Sequence, residues 1–137
     1  MKDQPVLRCL VKLTIPFVMI FGFYVITHGE LGPGGGFQGG VILAAAAILF
    51  GLIYGQREVA RVFPDRVMHT CMGLGVLFYA GVGVYSILDG RRYLDYSSLG
   101  SVAADAEAWG MTLVEYGVGL TVASVMVTLF NKMVEEE

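Results

Sequence analysis

A single acidic residue, Glu115, lies inside a long apolar segment that runs from Met111 to Phe130. A carboxyl group is costly in such a segment unless it faces protein, water or a cation. Burial would favour the protonated acid and a nearby cation would favour the carboxylate, so the residue suits either proton exchange or cation binding. The ordinary alternative is an acid that solvates the first turn of a helix, where the helix dipole would stabilise it.

Three further titratable residues lie near the ends of apolar segments: His28, Glu30 and His69. Histidine changes its charge near physiological pH, so these residues are candidates for an ion pathway together with Glu115. A solvated histidine in a loop or beside lipid headgroups is the more common case. We therefore rank Glu115 first among the candidate ion-pathway residues.

The stretch HGELGPGGGFQGG, from His28 to Gly40, contains seven glycines. It lacks the GxxxxGK[ST] pattern of a phosphate-binding loop. Glycine allows positive φ and close approach of other backbones, and irregular backbone at membrane depth must face protein or a water-filled cavity. A tight turn between two helices is the simplest interpretation. The residues expected to shape this loop or an interface are Pro33, Gly34, Gly35, Gly36, Phe37, Gln38, Gly39 and Gly40.

Side chains in this loop suggest more specific roles. Pro33 would fix φ within the glycine run, and Phe37 would anchor the loop against the helices. Gln38 offers an amide to a carbonyl or to a hydrated ion, although packing at a helix end is the simpler role.

Metal, cofactor and nucleic-acid sites are not indicated. Cys9 and Cys71 lie apart, without a CxxC pattern or a His/Cys cluster, and are expected to be small apolar fillers. Nine basic residues and a net charge of -3 give no basic stripe for phosphates. We expect neither a cofactor nor an enzymatic activity in this chain.

The composition indicates a membrane protein. Of 137 residues, 55% are hydrophobic and 15% are charged, against about 25% charged in soluble domains, and the mean hydropathy is +0.67. A transmembrane helix needs ~20 mostly apolar residues. Four segments approach that length, at about residues 9–27, 39–55, 70–88 and 111–130. The sequence therefore predicts a single all-α membrane domain over residues 1–137 with four transmembrane helices.

The basic residues predict the orientation of these helices. Seven of the nine flank one side, at the N-terminus, in the loop 56–69 and at the C-terminus, whereas only Arg91 and Arg92 lie on the other. The positive-inside rule then places both termini and loop 56–69 in the cytoplasm. The loops 28–38 and 89–110 would face outward.

The segment HGELGPGGGFQGGVILAAAA, from His28 to Ala47, resembles the signature of the MnhB/MrpB subunit family of multisubunit Na+/H+ antiporters. The length, the four spans and WGMTLVEYGVGL at the start of the last span also fit, so the resemblance covers nearly the whole chain. It implies a cell-membrane subunit that lacks a complete ion pathway and works beside other Mnh/Mrp subunits, with Na+ and H+ as the transported ions. It also implies that Pro33 and Phe37 shape the pathway or an interface.

Two other functions remain open. Related subunits occur in the membrane arms of membrane-bound hydrogenases, where redox chemistry elsewhere drives ion pumping. A purely structural scaffold between working subunits is the second alternative. Because the chain has one acid within its last three spans and no internal repeat, a carrier that works alone is the least favoured.

Overall fold

The computed structural model describes residues 5–29, 31, 32, 34–99 and 103–135, without the side chains of residues 98 and 103–106. Five α-helices and one short 3₁₀ turn make up this part of the chain. They are α1 (Pro5–Thr27), α2 (Gly36–Tyr54), α3 (Gln56–Val62), α4 (Asp65–Leu88), the 3₁₀ turn Tyr96–Leu99 and α5 (Ala103–Glu135).

The predicted all-helical class, with four long apolar helices, is confirmed. Four helices are long and apolar enough to cross a membrane, namely α1, α2, α4 and the part of α5 from Glu107 to Glu135. The helices extend beyond the predicted spans, since α2 begins at Gly36, α4 at Asp65 and α5 at Ala103. The loop predicted at 56–69 contains the short helix α3.

The four long helices pack in the order α1, α2, α5, α4, and α1 also contacts α5. Glycines line all three main contacts, because membrane helices attract one another by close packing and not by burying apolar surface from water. A methyl group added at Gly39, Gly40 or Gly117 would lie within 2.7–2.8 Å of a carbonyl oxygen on the neighbouring helix. The facing glycines are Gly22 with Gly39, Gly40 with Gly119, and Gly75 with Gly117.

A small core closes the end of the molecule that lies away from the glycine loop. Val59 of α3 is fully buried there against α2, α4 and α5. Lys132 of α5 lies 3.8 Å from Asp65 of α4, so the C-terminal end of α5 meets the start of α4. The core consists of Ala44, Ala47, Val59, Met68 and Val127, with Phe50, Phe63 and Phe130 packed against it.

The two outer helices expose many large apolar side chains. On α1 these include Phe17, Ile20 and Phe21, and on α4 Leu77 and Phe78. A surface of this kind suits lipid chains or the helices of other membrane subunits.

Candidate functional site

The carboxyl group of Glu115 lies against the backbone of the glycine loop. A methyl group added at Gly29 would overlap this carboxyl group, and one added at Gly35 would lie 3.2 Å from Oε1. At Gly36 an added methyl group would lie 2.9 Å from the Cα of Glu115. The absence of side chains at these three positions is what lets the loop close over the acid.

The backbone of the loop requires glycine for a second reason. Gly34 and Gly35 have φ angles of 152° and 149°, a region that side chains make costly. The chain turns there and enters α2 at Gly36, and the Gly39 N–H donates to the Gly35 carbonyl oxygen at 3.0 Å. The turn thus brings Gly35 and the first residue of α2 onto α5 beside Glu115.

Tyr96 approaches the same acid from the other loop. Burial raises the pKa of the Tyr96 hydroxyl, and the nearby Tyr79 and Glu115 raise it further, so the phenol stays protonated through the neutral range. A methyl group added at Gly110 would lie 2.7 Å from the Tyr96 Cβ, which shows how closely this residue packs on the start of α5. The Tyr96 hydroxyl therefore lies close enough to Glu115 for the two groups to interact electrostatically.

Hydrogen bonds around Asp95 fix the position of Tyr96. The buried Ser86 hydroxyl of α4 donates to the Asp95 carbonyl oxygen at 3.1 Å, and the Ser97 N–H donates to Asp95 Oδ1 at 3.2 Å. A hydrogen bond from the Ser97 hydroxyl holds the pKa of Asp95 below its usual value. The Asp95 carboxylate is therefore ionised at neutral pH and keeps the turn in place.

The two candidate histidines lie at opposite ends of the molecule. His28 is exposed and stacks on Tyr24 with 4.2 Å between ring centroids. His69 is also exposed, with Nδ1 2.7 Å from the Asp65 carbonyl oxygen, close to the opposite end of α5 from Glu115. A role for either histidine in an ion pathway stays a prediction. Glu30, a further candidate, and Pro33 lie outside the described residues.

The Phe37 side chain is 64% exposed, and its expected role as an anchor of the loop stays a prediction. Gln38 is exposed as well. An apolar ring gains little by turning inward in a membrane protein, since lipid is as apolar as the interior. Both side chains instead line an open groove of about 440 Å³ with Phe21, Val25, Val41 and Ile42. A role for Phe37 at an interface with another subunit stays a prediction.

Sequence reasoning found Glu115 but missed Gly29 and Tyr96 as its neighbours. Tyr96 lies in a loop with no periodic pattern that would single it out. Among the described residues, no group of three His, Cys, Asp or Glu side chains could hold a metal ion.

Comparison with known proteins decides the family. A family model described as a domain related to the MnhB subunit of Na+/H+ antiporters matches residues 6–128. The chain belongs to the MnhB family. A putative antiporter subunit mnhB2 of Staphylococcus haemolyticus is 33% identical over 132 residues, which cover 93% of this chain and 92% of the relative. A Na+/H+ antiporter subunit from Bacillus subtilis is 29% identical over 136 residues, with 96% and 94% covered.

Membership of the MnhB family agrees with the resemblance seen in the sequence. The match to residues 6–128 includes all four apolar helices, from the start of α1 to the last turns of α5. Glu115 and the glycines that enclose it lie within the matched region.

Proposed function

We propose that this chain is the MnhB subunit of a multisubunit Na+/H+ antiporter, and that it supports assembly and lines part of the sodium pathway. The observation that carries the proposal is the enclosure of Glu115 by the backbone of Gly29, Gly35 and Gly36. The match to a family of antiporter subunits gives this enclosure its context. Both relatives bear the names of antiporter subunits, which supports this function over a hydrogenase arm.

The chemistry of the site suits a transported ion. Unwound backbone beside a membrane helix offers carbonyl oxygens to Na+, and a carboxylate can neutralise the ion or take up a proton in its place. Tyr96 adds a neutral hydroxyl near the acid. The site would hold either ion transiently, while the remainder of the pathway belongs to partner subunits of the Mnh/Mrp type.

The proposed setting is the cell membrane, with both termini in the cytoplasm. The bias of basic residues toward the termini and the 56–69 loop supports this orientation. In it, Glu115 and the glycine loop lie near the outer surface, where Na+ would enter or leave. The chain itself carries out no catalysis in this proposal.

Replacement of Glu115 by Gln tests the coupling role. Gln keeps the shape of the side chain and removes its charge, so the complex should assemble while antiport slows by about tenfold, which corresponds to ~1.4 kcal/mol on a rate. The measurement is Na+-dependent proton movement in everted membrane vesicles that contain the whole complex. The amounts of all subunits in the same vesicles should equal those of the wild type.

Glu107→Gln is the matched control, because Glu107 is an exposed acid two turns earlier on the same helix. It should leave antiport unchanged. Wild-type kinetics in Glu115→Gln would refute the coupling role and leave the chain as a scaffold subunit.

A further inference from the structure

A furrow opens where α1, α2 and α3 meet, at the end of the molecule away from Glu115. Its volume is about 410 Å³, and its walls are mostly apolar, with charged groups at one end. The residues that line it are Lys12, Ile15, Pro16, Phe50, Tyr54 and Glu58.

The furrow continues toward the middle of the membrane. A second cavity of about 240 Å³ shares Ile15 and Phe50 with the first and reaches Met19, one turn further along α1. On α2 it extends to Leu43 and Ala46. Together the two cavities form one elongated groove that has charged residues at the helix ends and apolar residues further in.

Two basic residues stand at the mouth of the furrow. Arg8 precedes Lys12 by one turn of α1, so both side chains lie on the same face of that helix. The Arg8 guanidinium carbon lies 5.8 Å from the centre of the Tyr54 ring, and the Tyr54 hydroxyl donates to the Arg8 carbonyl oxygen at 3.4 Å. These contacts hold the guanidinium beside the furrow.

The guanidinium of Arg8 keeps hydrogen-bonding capacity for a ligand. Its Nε is buried and has no acceptor among the residues that the structure describes. Among the described residues that line the furrow, Glu58 is the one acidic residue, and its carboxylate lies 3.4 Å from Arg61 Nη1 on the exposed side of α3. The described residues at the mouth of the furrow therefore carry more positive than negative charge.

We propose that this furrow binds one anionic phospholipid, with the phosphodiester on Arg8 and Lys12 and an acyl chain along Ile15, Pro16 and Phe50. Arginine forms strong charge-assisted hydrogen bonds to phosphate, and basic pockets between transmembrane helices bind anionic headgroups. The apolar part begins one turn inside the basic residues, as the boundary between headgroup and acyl chain does in a bilayer. Charge complementarity thus favours a lipid over a partner helix, which would have to bring its own acid to this depth.

The test compares the whole antiporter complex carrying Arg8→Gln and Lys12→Gln with the wild-type complex. Each complex, purified in mild detergent, is titrated with phosphatidylglycerol or phosphatidylcholine, and bound lipid is counted by native mass spectrometry. Loss of two basic residues at the membrane surface should weaken phosphatidylglycerol binding at one site by about thirtyfold. Phosphatidylcholine binding should change little.

Arg57→Gln with Arg66→Gln is the matched control, because it removes two exposed basic residues that do not line the furrow. This control should retain the phosphatidylglycerol site within about twofold of the wild type. An equal loss in both double variants, or no loss in either, would overturn the proposal. If the Arg8/Lys12 variant fails to assemble, Lys12→Gln alone should weaken binding by about fivefold, and no effect would count against the proposal.

A crosslinking experiment distinguishes the lipid from a protein occupant. Phosphatidylglycerol with a photoreactive acyl chain should label the segment from Ile15 to Met19 in the wild-type complex. A photoreactive side chain placed at Ile15 should in turn capture lipid. Capture of a helix from another subunit at this position would show that protein fills the furrow and would overturn the lipid assignment.

Discussion

Glu115 and the glycines around it depend on one another. The carboxyl group lies against the backbone of the glycine loop, since Gly29, Gly35 and Gly36 leave the space that Glu115 fills. The sequence was enough to single out Glu115, because a charge within an apolar segment is conspicuous. It could not give Gly29 or Tyr96, because their proximity arises from two loops that meet only after the helices pack.

Gly36→Ala should disrupt the contact between the start of α2 and Glu115 of α5. The added methyl group would lie 2.9 Å from the Glu115 Cα, so α2 and α5 would have to separate, and such overpacking costs about 1–3 kcal/mol. We expect less of this subunit in the assembled complex on native gels and lower antiport. Gly73→Ala is the control, since a methyl group there meets open space in a helix and should preserve or raise stability. Equal assembly of the two variants would contradict this account.

The extent of each helix could be predicted from the sequence more fully than the packing of the helices against one another. Length and apolar content predicted all four spans. Hydrophobicity could not show that α2 and α5 are central, because lipid-facing and protein-facing surfaces are both apolar. The sequence also did not show that α2 begins at Gly36. Local preference alone predicts a turn at three consecutive glycines, but contact with α5 overrides that preference here.

The inner and outer faces of α2 can be tested with two adjacent residues. Ala44 is 1% exposed and Ala45 is exposed. Cysteine at position 45 should therefore react with a membrane-permeant maleimide at least tenfold faster than cysteine at position 44, a difference of ~1.4 kcal/mol. The measurement uses the isolated subunit in a background without Cys9 and Cys71. Slow reaction at position 45 in the complex alone would show that a partner covers this face. Fast reaction at position 44 would contradict the packing order.

The arrangement of the four spans leaves α1 and α4 on opposite sides of the α2–α5 pair. The two outer helices expose many large apolar side chains, which suits a subunit flanked by other membrane proteins. An even number of spans also puts both chain ends on one side of the membrane. The sequence predicted that number, while the order of the spans required the structure.

Reporter fusions test the proposed orientation. Alkaline phosphatase, which is active only outside the cytoplasm, should be inactive when fused after Glu135 and active when inserted after Arg92. A cytoplasmic fluorescent protein should give the reverse pattern. The two fusion sites serve as controls for each other, and activity of the phosphatase at the C-terminus would invert the orientation and place Glu115 on the cytoplasmic side.

The position of α5 between α2 and α4 has a consequence for biosynthesis. The ribosome makes α1, α2 and α4 before α5, yet the glycine contacts that hold α4 are with α5. While α1 and α2 can form a hairpin early, α4 must wait at the insertion machinery or in lipid until the last quarter of the chain emerges. A chain that ends before α5 would thus leave α4 without the helix against which its glycines pack.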